Sequence, residues 1–102
     1  MAFIARLEQY EPNIAAIIYH IKNEQHGPQR LGTGVKKGIP DFCYPQKTKD
    51  FGALYLEFKA PKGRLSEDQK LMHILLTEAG NKVVVCRTWD DGVKACLDYL
   101  TY

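Results

Sequence analysis

Two charged side chains in the middle of the chain, Glu57 and Lys59, have residue types and a spacing that could support catalysis. They lie in the segment Ala53–Ala60, whose alternating pattern is typical of a β-strand, so residues two apart face the same side. Large hydrophobic residues occupy the opposite side, which indicates a strand lying against a core. Charges in such a place are costly unless they have a partner or a metal ion. An exposed Glu–Lys pair on a sheet surface would give the same pattern, so these two residues alone do not establish a site.

Asp41 adds a second carboxylate, within the short strand predicted over Ile39–Tyr44, whose residues after Asp41 are apolar. Its separation from Glu57 fits a hairpin that sets the two acids on adjacent strands. Two carboxylates placed together repel unless a divalent cation lies between them, and oxygen ligands suit Mg²⁺ or Mn²⁺. A lysine beside such an ion can position or deprotonate a water molecule, or stabilise charge on a phosphate. The set Asp41, Glu57 and Lys59 therefore predicts metal-assisted phosphodiester hydrolysis, although Asp41 taken alone also fits a turn or a strand edge.

The distribution of charge agrees with a phosphate-containing substrate. The net charge is only +2, but residues 30–64 carry eight Lys and Arg against three acids. That middle segment sums to +5, whereas residues 1–29 sum to −1 and residues 65–102 to −2. A concentrated positive patch attracts phosphate backbones. Lys47 and Lys49 also fit an ordinary solvated surface.

Hydrophobic periodicity, turn residues and capping signals predict a mixed α/β domain. The predicted elements are a helix from Pro12 to about Glu24 that ends at His26–Pro28, a short strand or loop over Leu31–Lys37, strands over Ile39–Tyr44 and Ala53–Ala60, a helix that opens with a Ser66/Gln69 capping box and stops at Gly80, a buried strand over Lys82–Arg87, and a last helix from Asp90 or Asp91. The segment Ser66–Ala79 would be the crossover that links a parallel pair of strands.

Length and composition set the remaining limits. A chain of 102 residues suits one domain, over residues 1–102, and its small core makes stabilisation in a homodimer a reasonable expectation. No apolar run is long enough for a membrane span, and the N-terminus does not have the pattern of a signal peptide. Three cysteines without a CxxC pair favour a reducing cytoplasm. The histidines lack zinc-ligand spacing, which disfavours zinc.

Three segments together resemble a known family. Lys37–Asp41 (KGIPD), Tyr55–Gln69 (YLEFKAPKGRLSEDQ) and Glu78–Val85 (EAGNKVVV) look like the VRR-NUC domain, a branch of the PD-(D/E)xK nuclease superfamily. The resemblance extends from about Glu11 to Tyr99. It implies the restriction-endonuclease-like fold, with a central mixed sheet flanked by helices.

The resemblance also implies roles for matching residues. Mg²⁺, or Mn²⁺ in its place, would be bound by Asp41, Glu57 and the backbone carbonyl of Phe58, with Lys59 as the catalytic lysine. Gln69 would reach into the site from its helix, although it also fits a purely capping role. The family also has an acid on its first helix, and Glu11 is its best match here, with Glu8 as the alternative. Glu11 also fits a purely structural role, as a carboxylate that complements the helix dipole.

Basic residues on the loops beside the site are candidates for DNA-backbone contacts: Lys36, Lys37, Lys62 and Arg64. By resemblance, the chain would be a stand-alone virus- or phage-type nuclease, in the cytoplasm of a bacterial or phage-infected cell. Such proteins would cut branched DNA, such as four-way (Holliday) junctions, as homodimers. The alternatives are a flap or end nuclease, a nickase within a repair complex, and a non-catalytic DNA-binding module that keeps the fold.

Overall fold

The structure, a computed structural model, describes residues 2–22, 34 and 36–102. Within these residues a four-stranded mixed sheet is flanked by helices, as the sequence predicts. The strands lie in the order β1-β2-β3-β4, which are Tyr19–His20, Phe42–Tyr44, Leu54–Phe58 and Lys82–Cys86. The pairs β1–β2 and β2–β3 are antiparallel, and β3–β4 is parallel.

The helices cover both faces of this sheet. They are α1 (Ala2–Tyr10), α2 (Pro12–Ala15), α3 (Glu67–Glu78) and α4 (Trp89–Tyr99). The predicted crossover is confirmed, since α3 links the parallel strands β3 and β4. Helices α1 and α4 pack against each other on one face, and α3 lies on the other. No helix in the described part of the chain is both long and apolar enough to cross a membrane.

The main core lies between the sheet and the α1–α4 layer. Leu54 and Leu56 point into it from β3 with no exposed surface, as the alternating pattern predicts. Phe3 and Leu7, one helical turn apart, enter from α1 and are equally buried. Each such side chain contributes about 1.5–3 kcal/mol through burial. Because this core holds one face of β3, the alternate residues of the strand must face α3.

The predicted helix from Pro12 to about Glu24 is wrong. Only the first turn forms, as α2, and Pro12 occupies its start as expected. The chain then enters β1, whose Tyr19 and His20 pair with β2. This pairing partner lies more than twenty residues away, so tertiary hydrogen bonding overrides the local helical spacing. The N-terminal helix α1 was not predicted, and the predicted helix end at His26–Pro28 lies outside the described residues.

The other predicted elements are confirmed with shifted ends or altered burial. The strand expected over Ile39–Tyr44 is shorter and consists of β2 alone. The structure describes three residues of the segment Leu31–Lys37, namely Gly34, Lys36 and Lys37, and none of them lies in a strand. The last helix begins at Trp89, capped by Thr88. The strand expected to be buried, β4, is partly exposed along its valines, because it lies at the edge of the sheet.

Candidate functional site

The Asp41 carboxylate is fixed by the backbone of β3. Asp41 lies at a bend directly before β2, and its N–H donates to the carbonyl of Leu56 at 2.9 Å. The N–H of Phe58 in turn donates to Asp41 Oδ2 at 2.6 Å. These two bonds hold one carboxylate oxygen at the carboxyl end of β3, beside the residues that precede and follow Phe58. The sequence places Asp41 on a strand; the structure moves it to the strand entrance but keeps it next to Glu57.

Glu57 projects from β3 toward α3 and is the most buried acid of the site, with 2% of its surface exposed. Its Oε1 lies 3.1 Å from Nε2 of His73 on α3. When Glu57 is ionised, the Nε2–H of His73 donates to it. His73 was not recognised from the sequence, although it lies four residues after Gln69 and therefore on the same helix face.

The two acids and the lysine are electrostatically coupled. Burial, followed by the charge of Asp41 and a hydrogen bond with its carboxyl group, raises the pKa of Glu57 from 4.5 to about 8, while the Lys59 charge acts in the opposite direction. The pKa of His73 is lowered by burial and by the same lysine. Lys59 follows β3, with its N–H bonded to the carbonyl of Cys86 at 2.9 Å. Asp41, Glu57 and Lys59 therefore act on one another within a single small volume.

This arrangement fits a divalent cation. A buried carboxyl group beside a second carboxylate is costly to ionise, and a cation bound between them removes that cost. The available donors are oxygens, which Mg²⁺ and Mn²⁺ prefer. Among the residues that the structure describes, no three His, Cys, Asp or Glu side chains gather to hold a metal ion. A metal at Asp41 and Glu57 would accordingly need backbone oxygens or water to complete its coordination.

Gln69 is committed to a capping box. Its Oε1 accepts from the N–H of Ser66 at 2.9 Å, and its own N–H donates to Ser66 Oγ at 3.1 Å. Gln69 is nevertheless buried, at 9% exposure, at the end of α3 nearest the site. The predicted capping box is confirmed; a direct role of Gln69 at the metal stays a prediction.

The loop that leads to Asp41 is held against the start of α3. Gly38 has φ +77°, and a Cβ there would come within 2.4–2.7 Å of the backbone of Asp68 and Gln69. A glycine is therefore required for this close approach. Lys36 and Lys37, which precede this contact in the chain, are both exposed, and their role in binding DNA stays a prediction.

Glu11 lies between two helices instead of on one. It is the N-cap of α2, without a side-chain capping bond, and it is half-buried. Glu8 is on α1 and exposed. No contact in the described residues joins either acid to Asp41 or Glu57, so the role of the first-helix acid stays a prediction.

A second basic region lies beyond β3. The turn that carries Lys62 and Arg64, both exposed, is held by Arg87, whose Nη1 donates to the carbonyls of Ala60 and Gly63. Arg87 follows β4 and was not recognised from the sequence. It became relevant only through the parallel pairing, which brings the ends of β3 and β4 side by side.

Comparison with known proteins gives a family match and a structural match. The family model described as the VRR-NUC domain matches residues 6–89. A solved structure titled "VRR_NUC domain protein" is similar with a TM-score of 0.82 and 18% identity, over 98% of this chain and 83% of that one. At this identity the likeness concerns the fold. The search of curated proteins found no match.

Proposed function

Because the chain belongs to the VRR-NUC family of nuclease-type domains, we propose that it is a Mg²⁺-dependent DNA endonuclease, with Asp41, Glu57 and Lys59 at its centre. The single observation that carries this proposal is the buried Glu57 carboxyl group, held beside Asp41 within reach of the Lys59 charge. A structural role alone does not account for a second acid placed beside a nearly fully buried carboxyl group. Mn²⁺ is expected to substitute for Mg²⁺.

The residues of the site have distinct tasks in this proposal. Bound Mg²⁺ would act as a Lewis acid on the scissile phosphate and lower the pKa of a water molecule. Asp41, oriented by the Phe58 N–H, and Glu57, oriented by His73, would bind it. Lys59 would orient the attacking water or stabilise the charge that grows on the phosphate.

Three further assignments complete the proposed site. The backbone carbonyl of Phe58 is a candidate metal ligand, because Phe58 lies directly between Glu57 and Lys59 and already contacts Asp41. Glu11 is proposed as a further catalytic residue and ligand of the metal ion. Gln69 would approach the phosphate while it caps α3, because its amide nitrogen is not used in the bond to Ser66.

DNA would be held mainly through its backbone. Lys36 and Lys37 precede Asp41, while Lys62 and Arg64 lie on the turn after Lys59, so exposed cations flank the acids on both sides in sequence. Phosphate contacts of this kind position the duplex without reading its sequence. Selectivity would therefore come from the shape of the DNA, and branched DNA such as a four-way junction is the proposed substrate.

A homodimer is proposed because α3 exposes apolar side chains. Leu71, Ile74 and Leu75 are 49–56% exposed on this helix. A contiguous apolar surface next to a site suggests an interface, and twofold symmetry would suit a four-way junction. Ile74→Glu is expected to convert the dimer to a monomer in analytical ultracentrifugation. A sedimentation coefficient unchanged from that of the wild-type dimer would place the interface elsewhere.

The proposed setting is the reducing cytoplasm of a bacterial or phage-infected cell. Cys43, Cys86 and Cys96 are all buried free thiols, and they serve as small hydrophobic residues in this structure. Free thiols are typical of reducing compartments.

The test is a Mg²⁺-dependent cleavage panel over a four-way junction, a flap and linear duplex. Asp41→Ala and Lys59→Ala are each expected to reduce cleavage by at least about 100-fold. Lys47→Ala, at an exposed lysine of the same basic segment, is the matched control and should cut at nearly the wild-type rate. Cleavage by both site variants at the wild-type rate would refute the proposal. If the protein cuts the flap in preference to the junction, the nuclease assignment stands and the flap becomes the proposed substrate.

A further inference from the structure

A cleft beside Lys59 is not used by the proposed reaction. It has a volume of about 490 Å³ and lies where β3 and β4 end. Its lining consists of Phe58, Lys59, Ala60, Arg87, Thr88 and Trp89. Clefts of this size are large enough for small organic ligands. In sheets with parallel strands, ligands commonly bind at the carboxyl ends of the strands, and β3 and β4 are the parallel pair here.

The wall of the cleft contains an exposed indole. Trp89 is 39% exposed, although it is the largest apolar side chain in the protein. Its ring lies 5.1 Å from that of Phe58, tilted by 58°. Phe58 is itself held by Phe3 and Phe42, with ring centroids 5.0 and 5.7 Å away. The indole therefore rests on a fixed aromatic support and leaves part of its surface open to a planar ligand.

The charge around the cleft suits a ligand that carries phosphate. Arg87 donates through Nη1 to two carbonyls, and these two bonds do not use the donors on its other guanidinium nitrogens. The nearby acids of α4 have partners: Asp90 pairs with Arg6, and Asp91 accepts from the N–H groups of Arg87 and Thr88. Asp91 keeps its negative charge, but both of these bonds are to backbone N–H groups and neither is to the Arg87 guanidinium.

Lys59 connects the cleft to the proposed catalytic site. It lines the cleft, and its charge also acts on Glu57 and His73. A nucleotide whose base occupied the cleft would therefore have its phosphate near Lys59. Because the cleft adjoins the proposed catalytic site, the planar ligand that fits it best is a base of the DNA strand that is cut.

We propose that this cleft binds an unpaired nucleobase of the DNA substrate, stacked on Trp89, next to the phosphate at Lys59. The inference rests on the proposed function, which it deepens by naming a substrate feature. Bases in a continuous duplex are stacked and paired, so only a base at a branch, a flap or an extruded position can enter. The cleft would then contribute to selection of branched over linear DNA.

Trp89 is the single tryptophan of the chain, so intrinsic fluorescence reports directly on the cleft. The probe is single-stranded oligothymidylate of about ten nucleotides, titrated in EDTA to prevent cleavage. A matched oligomer of equal length and charge carries abasic sites in place of the bases. Thymidylate is expected to quench Trp89, and the abasic oligomer is expected to bind roughly 5- to 150-fold more weakly without quenching.

Variants separate stacking from a structural role. Trp89→Ala should lower the affinity for thymidylate to that for the abasic oligomer, measured by fluorescence anisotropy of a labelled probe. Trp89→Phe should keep most of the difference, because it retains a ring. Tyr102→Ala removes an exposed aromatic near Lys82, at the opposite end of the sheet, and should change neither affinity.

Equal binding of both oligomers by the wild-type protein, or an unchanged preference in Trp89→Ala, would overturn the proposal. These outcomes differ from failure of the proposed function. If the wild-type protein cleaves DNA with Mg²⁺ but binds both oligomers equally, only the proposed role of the cleft is refuted. The opposite outcome is base-dependent quenching of Trp89 together with wild-type cleavage by Lys59→Ala. It would support the cleft as a binding site for single-stranded DNA and refute the proposed reaction.

Discussion

Replacing Glu57 with Gln removes a negative charge from a position with very little solvent. The side chain is 2% exposed, and burial together with Asp41 raises its pKa from 4.5 to about 8. Gln has nearly the same volume and keeps an amide oxygen for His73. In the absence of divalent ions, we therefore expect Glu57→Gln to stabilise the folded protein at alkaline pH.

The raised pKa of Glu57 determines how the free energy of unfolding changes with pH. The folded state holds the Glu57 proton more tightly than the unfolded state, so the stabilisation from this group is complete below about pH 4.5 and is lost as the pH rises through about 8. Each pKa unit corresponds to about 1.4 kcal/mol. The difference between 4.5 and about 8 thus sets an upper limit on the order of 5 kcal/mol for the wild-type loss.

Urea unfolding in EDTA between pH 5 and pH 9 measures this loss. Wild-type protein and Glu57→Gln should have similar free energies of unfolding near pH 5 and diverge as the pH rises, with the variant more stable at pH 9. Glu78→Gln, at an exposed acid of the same α3, is the control and should follow the wild-type curve. Parallel curves for wild type and Glu57→Gln would refute the idea of a buried, charge-repelled carboxyl group.

Added Mg²⁺ should reduce this difference in stability between the two proteins. An ion at one hundred times its dissociation constant stabilises the folded state by about 2.7 kcal/mol. Wild-type protein should gain this stability at pH 8, whereas Glu57→Gln should gain much less, because the ion loses a charged ligand. Equal gains in both proteins would place the ion elsewhere.

Two other predictions concern the supports of the site. His73→Ala should weaken Mn²⁺ binding in calorimetry by about 10-fold or more, with partial recovery in His73→Gln; unchanged affinity would mean that His73 does not orient Glu57. Gly38→Ala should lower the free energy of unfolding by about 3 kcal/mol, because it combines a left-handed backbone with a clash. Gly34 also has a positive φ, but a Cβ there would have no atom within 4 Å. Gly34→Ala should therefore lower the free energy of unfolding by only about 1–2 kcal/mol, and equal losses in the two variants would contradict the clash at Gly38.

Locally encoded features could be predicted from the sequence. The alternation in β3 separates core residues from Glu57 and Lys59, and the Ser66/Gln69 capping box is a short-range hydrogen-bond pattern that the structure reproduces. Asp41 could be assigned to the site because its neighbours form a recognisable motif. In each case the signal lies within a few residues of the feature that it predicts.

Features that depend on distant partners could not be predicted. Strand β1 exists because its backbone pairs with β2, although Ile14 and Ile18 suggest a continuing helix. The contact between His73 and Glu57 depends on how α3 packs across the sheet. Arg87 and Trp89 line a cleft with Lys59 only because β3 and β4 are parallel neighbours. Spacing along the sequence places His73 on the same helix face as Gln69 but does not indicate which residues of the sheet that face meets.

The most direct test of the central claim is a crystal structure of the protein soaked with Mn²⁺, with anomalous scattering used to locate the ion. We expect one strong anomalous peak at bonding distance from a carboxylate oxygen of Asp41 and one of Glu57, near the Lys59 ammonium group. An anomalous map without a peak between these two side chains, in a protein that cleaves DNA with Mn²⁺, would contradict the account.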